Sequence, residues 1–177
     1  MVKAFSTLFM VFFNMCLFRR RPQDLPQSFE LLTVCLIAYI LINFLLGLNT
    51  SGYLRSIQSS FLETFFISLI TSVILKLNHH SERWLKTLMA ITGTGCVMGL
   101  FAMPLFVGVF SLDSGSLLRA LILLVYMFLL IWNIAVMGHI LRYALETTMG
   151  FGVMFAIIYI VITSIMIGVL IPQAELQ

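Results

Sequence analysis

Leu31–Leu48 reads LLTVCLIAYILINFLLGL, eighteen residues without a charge. A helix needs roughly 20 apolar residues to cross the hydrocarbon core of a bilayer, and Ser28 stands just before the run as an N-cap. Working outward, four more such runs follow, at about Ile57–Leu75, Leu85–Phe110, Leu117–Val136 and Met149–Ile171. Pro104 interrupts the third and is expected to kink it, since proline removes a backbone donor; Pro172 stops the last. The breaks between runs are short, so consecutive helices are expected to be antiparallel neighbours.

Composition agrees. The 177 residues are 61% hydrophobic and 10% charged, with a mean hydropathy of +1.09, where soluble domains are roughly 45–50% apolar and about 25% charged. Seventeen formal charges cannot coat a water-facing surface of this size. That excludes a soluble enzyme, a nucleic-acid binder and a disordered tail. The expected fold is an all-α membrane protein: a compact bundle of five transmembrane helices over residues 28–177, preceded by an interfacial amphipathic helix and basic elbow over 1–27.

Val2–Phe18 carries that interfacial reading. At about 100° per residue, Lys3, Thr7, Asn14 and Arg21 fall near one line with Ser6 close by, and the other side is Phe5, Leu8, Phe9, Phe12, Phe13, Met15 and Leu17. A narrow polar stripe on an aromatic-rich helix suits the headgroup plane. The competing reading is a sixth, short span. No cleavable signal is expected, because the stretch ends in Arg19-Arg20-Arg21 with no small-residue cleavage site before it.

The basic residues set a direction. Lys3, Arg19, Arg20, Arg21, Lys76, Arg83, Lys86 and Arg142 fall on one side of five spans, and only Arg55 and Arg119 on the other. The positive-inside rule then places the N-terminal segment in the cytoplasm and the C-terminus outside. Arg19, Arg20, Arg21 and Arg142 are the expected contacts to anionic headgroups, and Pro22 and Pro26 end the surface helix.

Helices in lipid associate through close backbone approach and interhelical hydrogen bonds. Ser56, Ser60, Thr64, Ser68 and Ser72 recur every four residues on the second span. Gly95 and Gly99 lie four apart on the third, and Gly152, Ala156, Ser164 and Gly168 share an i+4 line on the fifth. Packing is the role expected of these stripes.

Polar groups at membrane depth are few. Glu63 lies about six residues inside the second span, roughly 9 Å along a helix, where a carboxylate is costly unless protonated, paired or wet. It is either a proton- or cation-handling acid or the partner of Arg55 or Arg119. Asn133 and His139 continue a polar series on the fourth span. Asn133 needs an interhelical partner, and His139 is either a proton relay or an interfacial anchor. Arg142 with Glu146, and His139 with Tyr143, are spaced to pair on one helix face.

No catalytic residue, cofactor or metal site is expected. No hydrolase, zincin or phosphate-loop motif occurs, and His79-His80 has no third ligand in view. Cys16, Cys35 and Cys96 lie far apart in apolar runs and read as small hydrophobes.

Two stretches carry a family resemblance: RRRPQDLP over Arg19–Pro26, and WNIAVMGHILR over Trp132–Arg142. With them the chain resembles small inner-membrane proteins of Gram-negative bacteria grouped with the Yip (Ypt-interacting protein) family. The resemblance implies the same five-span layout and a bacterial inner membrane, without implying a substrate or reaction. Eukaryotic members of that family carry a long cytosolic N-terminal region and associate with Rab-type GTPases; this chain opens directly on residues 2–18, and no GTPase role is expected of it. The functional expectation is a non-enzymatic membrane-organising or partner-binding factor. Its partners would be the lipid bilayer and other membrane proteins or a second copy. The alternative is a small transporter or channel subunit that passes protons or a solute through Glu63.

Overall fold

The computed structural model describes residues 2–113 and 115–171, with side chains from Thr7 onward except at 49–51. The side chains of Lys3, Phe5 and Ser6, from the expected polar and aromatic faces, and the stop at Pro172 therefore lie outside what is described. The α-helices are α1 Val2–Cys16, α2 Phe29–Ser51, α3 Tyr53–Leu77, α4 Trp84–Ser111, α5 Leu117–Leu145 and α6 Met149–Leu170. The last five are long and apolar enough to cross a bilayer. The chain is an all-helical, multi-pass membrane protein.

Helices stop where the backbone is broken, not where hydropathy falls. Ser28 caps α2 as expected, its hydroxyl accepting from the Leu31 N–H at 3.3 Å. α2 runs on through 49–51 and meets α3 at Gly52 alone, whose φ of 73° any other residue adopts only under strain. α3 starts at Tyr53, not near Ile57, and α5 continues to Leu145, well past Val136. Arginine is a good helix former, so Arg55 and Arg142 end a hydropathy window without ending a helix. α5 is then about 43 Å long, against a hydrocarbon core of about 30 Å. Glu146, in the left-handed region at φ 54°, is what closes it. α4 continues through Pro104.

The five long helices form a closed ring in the order α3, α2, α4, α5, α6 and back to α3. Consecutive helices are close neighbours except α3 and α4, which touch only lightly; α4 packs chiefly on α2 and α5. The α2–α4 pair is parallel, since Cys35 meets Cys96, Tyr39 meets Gly95 and Ile42 meets Gly99. The glycines explain this choice of neighbour: a side chain at Gly95 would run into the Tyr39 ring at 2.7 Å, so the notch they leave is already filled from α2.

The stripes of small residues leave the contact face partway along. Ser56, Ser60 and Thr64 are buried, Ser68 is half-buried and Ser72 exposed, while Thr71 and Leu75 take over. On α6, Gly152 and Ala156 are buried, but Ser164 and Gly168 are exposed and Tyr159 and Thr163 replace them. The cause is helical pitch. Each i+4 step overshoots a full turn by about 40°, so four steps rotate a residue about 160° off its starting face. The buried hydroxyls also bond within their own helix. Ser60 donates to the Ser56 carbonyl at 2.6 Å and Thr64 to that of Ser60 at 2.8 Å, so the stripe provides close approach more than interhelical bonding.

α1 is shorter and lies outside the ring, against α4 and α5. Phe12, Met15 and Cys16 are its buried side. The Phe12 ring fills the space beside Gly93, and Trp132 donates its indole N–H to the Cys16 carbonyl at 3.0 Å. Trp132 is thirteen residues from the end of α5, about 20 Å along the helix. The end of α1 thus sits against the side of the bundle well above its basic rim. Its described aromatic side packs into grooves of α4 and α5.

The chain then returns to the rim. Gln23 donates to the Tyr143 carbonyl at 3.2 Å and its own carbonyl accepts from Lys86 at 2.8 Å. Arg83 pairs with Glu146 at 2.5 Å. The elbow, the α3–α4 connection and the end of α5 therefore meet at one end of the bundle, bringing together Arg21, Arg83, Lys86 and Arg142. Arg142 and Glu146 do not pair with each other, because Glu146 has already left the helix; Arg142 donates to the Tyr143 hydroxyl at 3.0 Å instead.

Arg83 holds the exposed Glu146 carboxyl below its ordinary value of 4.5, chiefly through the hydrogen bond. A depressed carboxyl adds stability above its unfolded value and loses it as pH falls through the folded one. Comparing thermal unfolding of Glu146→Gln with the parent should show a small deficit at neutral pH that closes below pH 4.5. A deficit unchanged at low pH would mean that the pair contributes nothing.

Candidate functional site

At the centre of the ring is a cavity of about 310 Å³ lined by all five spanning helices. Glu63 of α3 and Asn133 of α5 both face it. Because α3 begins at Tyr53, Glu63 is ten residues inside the helix, about 15 Å deep instead of 9 Å. Asn133 is twelve residues from the end of α5, about 18 Å. Both groups lie near mid-height of their helices.

The partner of Glu63 is neither of the arginines expected for it. The Tyr39 hydroxyl on α2 donates to its Oε1 at 2.9 Å, and Arg119 is turned to the Leu112 carbonyl at 3.3 Å. Tyr39 is only 8% exposed, and its ring is seated by the missing side chain of Gly95. One turn on, Asn43 also lines the cavity, its amide nitrogen buried beside the Tyr39 hydroxyl. Tyr159 of α6 faces in from the opposite wall with a buried hydroxyl, and the Thr163 hydroxyl lies beside it one turn on. Tyr126 of α5 joins the polar lining. With Thr94, whose hydroxyl donates to the Ala90 carbonyl of its own helix at 2.7 Å, the cavity is one carboxyl, two amides, three phenols and one aliphatic hydroxyl in an apolar frame.

Gly99 also lines this space, beside Ile42 of α2. His139 does not join it. It is buried six residues nearer the basic end than Asn133, between the rings of Phe18 and Tyr143, each 5.0 Å from its own centroid. The expected His139–Tyr143 contact forms, and α1's exit turn covers the imidazole. Arg19 and Arg20 are exposed on that turn, while Arg21 and Arg142 both lie over the Tyr143 ring, at 5.1 and 4.6 Å.

Tyr39, Asn43, Tyr126 and Tyr159 escape a search for charges and histidines. A signal was present: three of the chain's five tyrosines fall inside spans, Asn43 is the one amide in its run, and Tyr39 and Asn43 are four apart on one helix face. Among the described residues no three His, Cys, Asp or Glu side chains gather as a metal site. Set against protein-family models, curated proteins and solved structures, the chain matches none of them.

Proposed function

We propose that this membrane protein binds a small, positively charged polar solute in its central cavity and passes it through the bundle, as a carrier or channel subunit. The observation that carries this reading is the convergence of Glu63 and Asn133, from different helices, on one polar cavity at mid-height. A volume of about 310 Å³ is at the small end of the ligand-pocket range, roughly 300–1,000 Å³. The carboxyl supplies charge complementarity, phenol faces attract cations, and the amides and phenol hydroxyls supply hydrogen bonds. Ionisable groups at this depth ordinarily mark substrate or ion pathways. A purely organising role would leave this polar interior without a use. The reading is one of binding and passage, in which Glu63 and the phenols hold a cation instead of reacting with it. The basic end faces the cytoplasm in this reading, following the arginine bias. The Yip resemblance supports the five-span layout and adds no substrate.

Proteoliposomes containing the full chain, loaded with small amines, quaternary ammonium ions or alkali cations under imposed gradients, test the proposal. Glu63→Gln keeps the shape and removes the charge, and should lower the flux of the accepted cation by about tenfold or more. Absence of flux and binding for every cation in the parent protein, or equal flux in Glu63→Gln, would overturn it.

A further inference from the structure

We propose a second site, independent of the cavity: a phosphate-binding cleft at the basic end, built by Arg21, Arg142, Tyr143 and the first turn of α6. A cleft of about 570 Å³ opens here. Arg142 donates to the Tyr143 hydroxyl at 3.0 Å and lies over its ring, and Arg21 is held over the same ring from the elbow. Two guanidinium groups, one from the elbow and one from α5, are thereby held on a shared aromatic ring, and both line the cleft.

The acids nearby are engaged elsewhere. Glu146 also lines the cleft, but its carboxylate is taken by Arg83. Asp24 accepts from the Arg21 backbone N–H at 3.1 Å and is not part of the lining.

The far wall is the N-terminus of α6. Its cap residue Thr148 makes no side-chain cap bond, and the first N–H to close the helix is that of Gly152, onto the Thr148 carbonyl at 3.1 Å. The N–H groups of the first turn are thus left for an outside acceptor, at the positive end of the helix dipole. Nothing lies within 4 Å of where a Gly150 side chain would begin, so an approaching group meets no obstacle there. Independently of the helix, half-buried Thr147 lines this cleft, and its hydroxyl oxygen is shielded with no hydrogen-bond partner. Planar guanidinium forks, a hydroxyl and oriented N–H donors are the set that phosphate oxygens take. The phosphate comes either from the headgroup of an anionic lipid or from a soluble phosphate.

The test uses the full chain purified in mild detergent with phosphatidylglycerol and phosphatidylcholine at equal concentration, bound lipid being counted by native mass spectrometry. A parallel arm follows thermal unfolding on adding inorganic phosphate, with chloride at matched ionic strength. Selective retention of phosphatidylglycerol assigns the site to lipid; stabilisation by phosphate without lipid preference assigns it to a soluble phosphate. Arg21→Gln with Arg142→Gln should weaken whichever response is seen by about tenfold or more. Lys76→Gln with Arg119→Gln, the same loss of charge at residues outside the cleft, should leave it. If the first pair does not fold, Arg142→Lys carries the comparison, because it keeps the charge and loses the fork; unchanged binding there counts against the cleft. Equal loss in both double variants, or no response to either phosphate source in the parent, overturns the proposal.

Discussion

Gly152→Ala is expected to destabilise the bundle by about 3 kcal/mol, the upper end of what overpacking a tight contact costs. A methyl group at Gly152 would overlap the Gly138 carbonyl oxygen and come within 3.0 Å of the Arg142 backbone nitrogen. From the other side, a methyl at Gly138 would meet the Val153 nitrogen and Cα at 2.9 Å. These are backbone atoms, which cannot rotate aside as a flexible side chain does. α5 and α6 touch main chain to main chain here, and the methyl forces them apart along the whole crossing. The matched control is Gly168→Ala on the same helix, where nothing lies within 4 Å. There alanine only improves helix propensity, worth up to about 1 kcal/mol. Equilibrium unfolding in mixed micelles should show opposite signs for the two variants. The same sign and size for both would remove the crossing as the cause.

Replacing the hydrogen-bonded pair by Tyr39→Phe with Glu63→Leu is expected to raise stability while abolishing solute binding. A charged carboxyl at the centre of a spanning helix costs on the order of 2.5–3.5 kcal/mol on insertion scales. Apolar replacement of a buried polar pair is often neutral or stabilising. The double variant should therefore unfold at higher denaturant than the parent, by about 2 kcal/mol. Glu63→Leu alone should gain less, since it leaves the Tyr39 hydroxyl without its acceptor. A double variant less stable than the parent would make the pair a structural tie and remove the argument that the cavity is kept for a ligand.

The amino-acid sequence reveals the helices readily because twenty-residue apolar runs have few other uses. It is a poorer guide to where they end. Arg55 and Arg142 look like boundaries by hydropathy, yet both sit inside helices that stop only at Gly52 and Glu146. That displacement is why Glu63 looked shallower than it is. Which helices are neighbours depends on shape: Gly95 and Gly99 announce a notch, but nothing local says that α2, running parallel, fills it. Pitch hides more, since an i+4 series such as Gly152 to Gly168 looks like one face and winds off it. Glu63 stood out because charge at depth is rare. The phenols around it did not, because a tyrosine inside a span reads equally well as packing until the hydroxyl's surroundings are known.

The hydrogen bond between Tyr39 and Glu63 joins two helices separated in the chain by the single residue Gly52. A nascent chain therefore delivers donor and acceptor together. The α2–α3 hairpin enters the bilayer as one unit, with the carboxyl already masked by the phenol of its own preceding helix. Asn133 and Tyr159 arrive only with α5 and α6, so the acid is shielded through synthesis by its nearest neighbour in sequence, and the polar chamber around it is assembled last.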